Sequence, residues 1–152
     1  MTSITVMNGP NLNLLGTRKP EVYGSTTLAD VEEMCRSDAE KLGLDLVFLQ
    51  SNHEGQLVEW IHETGAKVKA GDSIGTVYNP GAHTHYAYAI RDAIEGASLP
   101  VVEIHISNVH AREEFRHHSV TSPLARGVVV GFGVFGYTLA INALHELASR
   151  TG

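Results

Sequence analysis

Cysteine, lysine and long apolar runs are scarce in this sequence, and each shortage excludes something. The 152 residues hold one cysteine, Cys35, so no internal disulfide can form, and no paired-cysteine spacing suggests a zinc site. No apolar stretch approaches the roughly 20 residues needed to span a bilayer. The start of the chain lacks the basic region and apolar stretch of a signal peptide, so the cytoplasm is the expected location. Positive charge is not in excess. The net charge is −6 with histidine neutral, which argues against nucleic acid or an anionic membrane as the main partner. No G-x-x-x-x-G-K-[ST] loop occurs, which excludes a P-loop protein. The four lysines, Lys19, Lys41, Lys67 and Lys69, stand in polar sequence. None has the apolar neighbourhood that would depress an amine pKa for Schiff-base chemistry. Repeats, linkers and low-complexity tracts are absent too, so one domain over residues 1–152 is expected.

What is present is an ordinary globular composition, 43% hydrophobic and 18% charged, arranged as strands alternating with helices. Ile4 to Met7 is a short apolar strand. It runs into NGPNLNLLGTRKPEVYG, residues 8–24, where three Asn, three Gly and two Pro make a loop. A loop this long in a compact domain is often a functional lid. Thr27 and Asp30 form a capping-box start, Leu28, Val31, Cys35, Ala39 and Leu42 share one helical face, and Gly43 ends the helix. Cys35 on that face reads as a core thiol. A second strand, Asp45 to Leu49, leads through the polar turn QSNHEG to a helix over Gln56 to Glu63. Residues 67–72 then form a polar connection. The third strand, Ser73 to Tyr78, ends at Asn79-Pro80-Gly81 and precedes a helix over Tyr86 to Glu95. The fourth strand is Val101 to Ile106, with helical turns over 110–118. Gly127 to Gly131 and a last helix over Tyr137 to Ser149 complete the pattern. Five strands alternating with helices imply a parallel sheet covered on both faces. In such sheets ligands bind beyond the carboxyl ends of the strands. That rule gathers the 8–24 loop, the Asn79 turn and the residues from His105 onward.

Two motifs look like chemistry and fail on context. Gly71-Asp72-Ser73-Ile74-Gly75 matches G-x-S-x-G, but a nucleophile elbow needs its strand before the serine, and here the strand follows it. Gly131-Phe132-Gly133-Val134-Phe135-Gly136 matches G-x-G-x-x-G between a strand and a helix. No following strand carries an acidic ribose contact about 20 residues on, so a tight glycine turn is expected. The nine histidines raise the possibility of a metal, yet none of their spacings matches H-E-x-x-H or a Cys/His zinc pattern.

The stretch VVEIHISNVHAREEFRHHS, residues 101–119, is where chemistry concentrates. Glu103 and His105 sit inside an apolar strand, and buried polar groups need a partner or a task. His110, Arg112, Arg116, His117 and His118 follow closely. Such density at a strand end marks a candidate active site. The ionisable set that survives elimination is Arg18, Tyr23, Glu103, His105 and Arg116. The residues alone leave alternatives open: Arg18 and Tyr23 as loop-packing side chains, His105 as a core histidine bonded to Glu103.

The stretches NGPNLNLLGTRKPEVYG, QSNHEG, NPGAHTH with IRDA, and EIHISNVHAREEFRHHS resemble the type II 3-dehydroquinate dehydratases over essentially the whole chain. The resemblance implies a flavodoxin-like fold, a doubly wound five-stranded parallel sheet in order 2-1-3-4-5 with helices on both faces. It implies a homododecamer, a tetramer of trimers, and the anti elimination of water from 3-dehydroquinate to give 3-dehydroshikimate through an enolate, without cofactor or metal. Such chemistry serves the shikimate pathway to aromatic amino acids or quinate breakdown. By motif, Tyr23 resembles the base that takes the proton beside the ketone, Arg18 the lid arginine that activates it, and His105 the acid that protonates the departing hydroxyl. Glu103 resembles the residue that orients His105, and Asn11 one that holds a water near the enolate oxygen. Asn79, His85, Ile106, Ser107 and Arg116 resemble the substrate-binding set, and Asp92 the residue that reaches a neighbouring subunit's site. His83 and residues 86–88 depart from the family's usual pattern, beside the pocket and the subunit contact.

The roles make chemical sense. Enolate formation needs a base and oxyanion stabilisation. Tyrosine, with an ordinary pKa near ~10, serves as base only if a cation such as Arg18 favours the phenolate. A hydroxide leaving group needs a proton, and histidine titrates in the right range. Two other expectations compete: a metal-dependent hydrolase built on the histidines, which chelation would abolish, and a flavodoxin-like binding module, which would carry a yellow flavin.

Overall fold

The computed structural model describes residues 1–17, 21 and 24–151. Five strands form one sheet: β1 (Ser3–Asn8), β2 (Asp45–Gln50), β3 (Ser73–Asn79), β4 (Val101–His105) and β5 (Gly127–Val130), in the order β2-β1-β3-β4-β5. Every neighbouring pair is parallel. Among the described residues four α-helices connect and cover them: α1 (Leu28–Lys41), α2 (Glu54–Lys69), α3 (Tyr88–Ala97) and α4 (Phe135–Thr151). This is the flavodoxin-like order that the resemblance implied.

Side chains alternate along a strand, so each strand feeds two cores. Ile4, Val6, Val77, Val102 and Ile104 pack with Val31, Cys35 and Ala39 of α1 and Tyr137, Ile141 and Leu144 of α4. Met7, Tyr78 and Val101 face the other way, onto Leu57 and Ile61 of α2 and Ile90 and Ile94 of α3. The parity of β4 then decides where its polar residues go. Glu103 and His105 share the face of Val101, the α2/α3 side, at the carboxyl end of the sheet.

The capping box of α1 forms as expected: Thr27 Oγ1 accepts from the Asp30 amide, and the Asp30 carboxylate accepts from the Thr27 amide. Those bonds hold the Asp30 carboxyl below its usual range. Helix α2 departs from expectation at both ends. It begins at Glu54, where an acidic residue suits the first turn, and runs on to Lys69, with Lys67 and Lys69 in its last turn. Gly65, beyond the expected end at Glu63, lies inside the helix. A Cβ there would stand 2.8 Å from the Ala97 Cβ, so this glycine allows α2 to lie against the end of α3. Helix α3 starts at Tyr88, two residues later than Tyr86, because residues 81–85 form a separate 3-10 turn. Residues 109–111 and 114–117 form short 3-10 turns, as the sequence suggested for that region.

The two rejected motifs have structural roles. Ser73 opens β3, at the opposite edge of the sheet from His105, and its Oγ accepts from the Gly75 amide. The glycine-rich turn after β5 gives its amides to β4: Gly131 donates to the His105 carbonyl and Gly133 to the Ile106 carbonyl, at 3.1 and 3.0 Å. Those donors fasten the exit of β4 and are not free for a phosphate.

Candidate active site

The carboxyl ends of β1, β3 and β4 border one cavity of about 290 Å³. The 10–16 stretch supplies one wall, Asn79 and His85 another, and His105, Ile106, Ser107, Arg112 and Arg116 the rest. Gly9 makes this convergence possible. Its amide donates to the Asn79 carbonyl at 2.8 Å, and a Cβ on residue 9 would fall 2.5 Å from the Pro80 carbonyl oxygen. Only a residue without a side chain lets the start of the loop lie so close to the β3 turn.

At the floor of the cavity is a buried ion-pairing unit. Glu103 is fully buried and His105 is 8% exposed. His105 Nε2 donates to Glu103 Oε2 at 2.7 Å, which leaves Nδ1 as the ring nitrogen without a partner among the described residues. Thr121 Oγ1 donates to Glu103 Oε1 at 2.6 Å, and the hydroxyls of Ser122 and Thr84 donate to Oε2. Burial is the strongest single influence on Glu103 and opposes its charge. The hydrogen bonds from His105, Ser122 and Thr121, with the charge of His105, together outweigh it and hold the carboxyl below the usual glutamate range. Glu103 is therefore a fixed anion, with one edge of the His105 ring facing the cavity, an arrangement suited to delivering a proton.

The other expected residues take distinct places. Asn79 is 3% exposed. Its Oδ1 accepts from the Gly81 amide, and its Nδ2 donates to the Tyr137 hydroxyl at 2.9 Å. Tyr137 in turn donates to Asn8 Oδ1 at 2.7 Å, so this tyrosine ties the ends of β1 and β3 together beneath the cavity. Burial raises the Tyr137 pKa well above its ordinary value, which keeps its proton in that bond. His85 Nδ1 donates to the His118 carbonyl at 2.7 Å, and its ring meets Phe115 edge to face. Arg116 Nε bonds Glu113 at 2.5 Å, with the guanidinium 4.7 Å from the Phe115 ring centre. Asn11 adopts a left-handed backbone, φ 70°, and its amide donates to Asn52 Oδ1 at 2.9 Å. The QSNHEG turn thus braces the wall that carries Asn11.

Asp92 lies exposed on α3 and does not line the cavity of its own chain. Arg18 and Tyr23 lie outside the described residues. His83 is buried, with Nδ1 unpartnered, and packs edge to face on the exposed Tyr86. His110 and His117 approach each other with ring centres 6.1 Å apart. Even so, among the described residues no group of three or more His, Cys, Asp or Glu side chains could hold a metal ion. No helix among them is long and apolar enough to cross a membrane.

Sequence reasoning placed Arg112 in the cluster without giving it a role, and missed a set of hydroxyls. Arg112 lines the cavity and donates to Ser107 Oγ at 3.2 Å, adding a second guanidinium to an otherwise acidic protein. Its position five residues after Ser107 was the available signal. The hydroxyls around Glu103, Thr84, Thr121 and Ser122, carried no signal beyond their residue type.

Comparison with known proteins agrees along nearly the whole length. Residues 2–145 match the family described as dehydroquinase class II. The chain is 62% identical over 144 residues to the 3-dehydroquinate dehydratase of Variovorax paradoxus (strain S110), covering 95% of this chain and 99% of that one. It is 61% identical over 148 residues to the enzyme of the same name from Marinomonas sp. (strain MWYL1), covering 97% and 99%. Among solved structures it is similar to the type II dehydroquinase from Butyrivibrio crossotus DSM 2876, with a TM-score of 0.88 at 44% identity, over 94% of this chain and 97% of that one.

Proposed function

The chain belongs to the class II dehydroquinase family, and from that premise we propose that it removes water from 3-dehydroquinate to give 3-dehydroshikimate. The observation that carries the reading is the buried Glu103–His105 pair facing a cavity whose walls come from three strand ends. In the first step Tyr23, as phenolate beside Arg18, takes the proton on the carbon next to the ketone, and the electron pair moves into an enolate. Asn11 holds a water near the enolate oxygen, which spreads the developing charge. In the second step the enolate collapses to a conjugated enone, the C–O bond on the opposite face breaks, and His105 gives its proton to the departing hydroxyl, releasing water. Glu103 keeps the histidine oriented and balances its positive charge.

Substrate binding divides between charges and hydroxyls. Ser107 and the backbone after Ile106 suit the substrate carboxylate. Arg116, His85 and Asn79 suit the ring hydroxyls, where charge-assisted and paired hydrogen bonds give orientation. Asp92, exposed on α3 and outside its own cavity, is free to reach the site of a neighbouring subunit, as the family resemblance implies for a homododecamer of four trimers. The reaction proceeds in the cytoplasm without cofactor or metal, as one domain over 1–152, and serves aromatic biosynthesis or quinate breakdown.

The test is to add 3-dehydroquinate to the purified protein, with a chelator present, and follow the ultraviolet absorbance of the enone. A rise at neutral pH is expected. A flat trace overturns the proposal, and turnover that appears only when the chelator is withheld overturns the metal-free mechanism.

A further inference from the structure

Three hydroxyls bond the buried Glu103 and a fourth, on Ser119, stands behind them, and their proton directions can be worked out. Ser119 Oγ accepts from the amides of Thr121 and Ser122, at 3.2 and 2.9 Å. Both of its acceptor positions are then occupied, so its own proton must point outward. The nearest acceptor is Thr84 Oγ1 at 2.5 Å, with Thr121 Oγ1 farther away at 3.3 Å. Thr84, having received that bond, sends its single proton on to Glu103 Oε2 at 3.2 Å, with Thr121 Oγ1 2.8 Å away. Thr121 sends its proton to Glu103 Oε1 at 2.6 Å, and Ser122 sends its own to Oε2. Every route ends on the carboxylate. Two backbone amides set the direction, so the chain cannot turn round without costing one of those amides its partner.

The hydroxyls come from two segments that also carry cavity residues. Thr84 lies in the turn that ends at His85, and residues 119–122 follow the turn that holds Arg116. The Val120 amide donates to the Thr84 carbonyl at 2.7 Å, and Arg91 Nη1 on α3 donates to the Val120 carbonyl at 2.8 Å. Thr84 and Thr121 are each 1% exposed. A one-directional network with its two threonines buried and its two serines half-buried gives its end point a single geometry.

We propose that Thr121, with Thr84 and Ser122, is a positioning residue for the elimination step: the hydroxyl chain holds both carboxylate oxygens of Glu103 as acceptors and so fixes the ring of His105 toward the departing hydroxyl. The proposal rests on the reading of His105 as the acid. It adds a prediction that reading does not make, that a threonine remote from the substrate acts on loss of water and not on loss of the α proton.

The test uses Thr121→Val and Thr121→Ser in the full-length protein. Turnover is followed by enone absorbance, and proton abstraction by deuterium exchange at the carbon beside the ketone. One hydrogen bond to a charged group, expressed at the transition state, corresponds to a drop of about tenfold or somewhat more in kcat. Thr121→Val should show that drop with KM nearly unchanged and with exchange gaining on elimination. Thr121→Ser, which keeps the hydroxyl, should return kcat to within about threefold of the parent. In a Glu103→Gln background Thr121→Val should have little further effect, because the acceptor charge is already gone. Should Thr121→Val not fold, Ser122→Ala at the edge of the cluster is read in the same way. Equal losses in the valine and serine variants would assign the effect to packing and overturn the proposal, as would an unchanged ratio of exchange to elimination. His105→Ala run alongside separates the two levels. If it raises that ratio and Thr121→Val does not, the positioning role fails and the acid survives. If His105→Ala leaves the ratio unchanged, the acid assignment itself fails.

Discussion

Replacing Glu103 by glutamine tests the centre of the site with almost no change in shape. The carboxylate accepts from His105, Thr121, Ser122 and Thr84. A glutamine offers one acceptor oxygen and one donating amide nitrogen. With its oxygen kept toward Thr121, its nitrogen must occupy the place of Oε2, against three groups that all donate. Ser122 and Thr84 can rotate their hydroxyls, but His105 answers only by giving up its Nε2 proton and keeping the one on Nδ1. The ring is then neutral, and the proton facing the cavity belongs to a far weaker acid. The lost charge-assisted bond is worth about 1.5–3 kcal/mol, or roughly 10- to 150-fold at about 1.4 kcal/mol per decade. A well-placed general acid contributes about 10²–10⁴-fold in all. We therefore expect kcat to fall about 100-fold while exchange of the α proton stays within about threefold of the parent. Stability should drop by only about 1–3 kcal/mol, the range for an imperfectly bonded buried group, read from urea unfolding. A folded Glu103→Gln protein with kcat within about threefold of the parent would refute the assignment of a charged partner to the acid.

Other consequences follow from the same geometry. The Glu103 carboxyl is held below its ordinary range in the folded protein; its contribution to stability is therefore complete above the unfolded value near ~4.3 and is lost as pH falls through the lower folded value. Acid unfolding curves of Glu103→Gln should lack that component, and identical acid slopes would contradict it. Tyr137→Phe removes the bridge between Asn8 and Asn79 and leaves two buried amides short of a partner. It should cost about 2–4 kcal/mol in chemical unfolding and raise KM through a misplaced Asn79, whereas unchanged stability would show that the bridge carries no load. Burial, with Asp38 and Glu32 nearby, pushes the Cys35 thiol up to about 12. A thiol reagent at neutral pH should therefore label the chain only after unfolding, and rapid labelling of the native protein would contradict its place in the core.

The parts of the fold that rest on local chemistry could be read from the chain. The Thr27–Asp30 box, the helical stripe of Val31, Cys35 and Ala39, and the strand alternation that separates Val102 from Glu103 are all short-range patterns. The boundaries that moved depend on distant contacts. Gly65 lets α2 lie against Ala97, and no window around Gly65 contains Ala97. The same division runs through the site. Glu103 and His105 were conspicuous as polar residues in an apolar strand. The hydroxyls that support them looked like any polar loop, since Thr84 and Thr121 meet only when the turn after β3 folds against the segment before β5. The Tyr137 bridge joins residues 129 positions apart, and an aromatic on a helix's buried face reads as simple packing. Arg112 stood among enough other charges that its spacing from Ser107 did not single it out.

The account's central claim is a division of labour, with proton removal by the loop carrying Tyr23 and proton delivery by His105 at the end of β4. Deuterium exchange at the carbon beside the ketone, measured together with enone formation in Tyr23→Phe and His105→Ala, addresses it directly. Tyr23→Phe should lose both exchange and product while remaining folded, and His105→Ala should keep exchange while forming almost no enone. Exchange at the parent rate in Tyr23→Phe, or full enone formation in His105→Ala, would contradict the assignment.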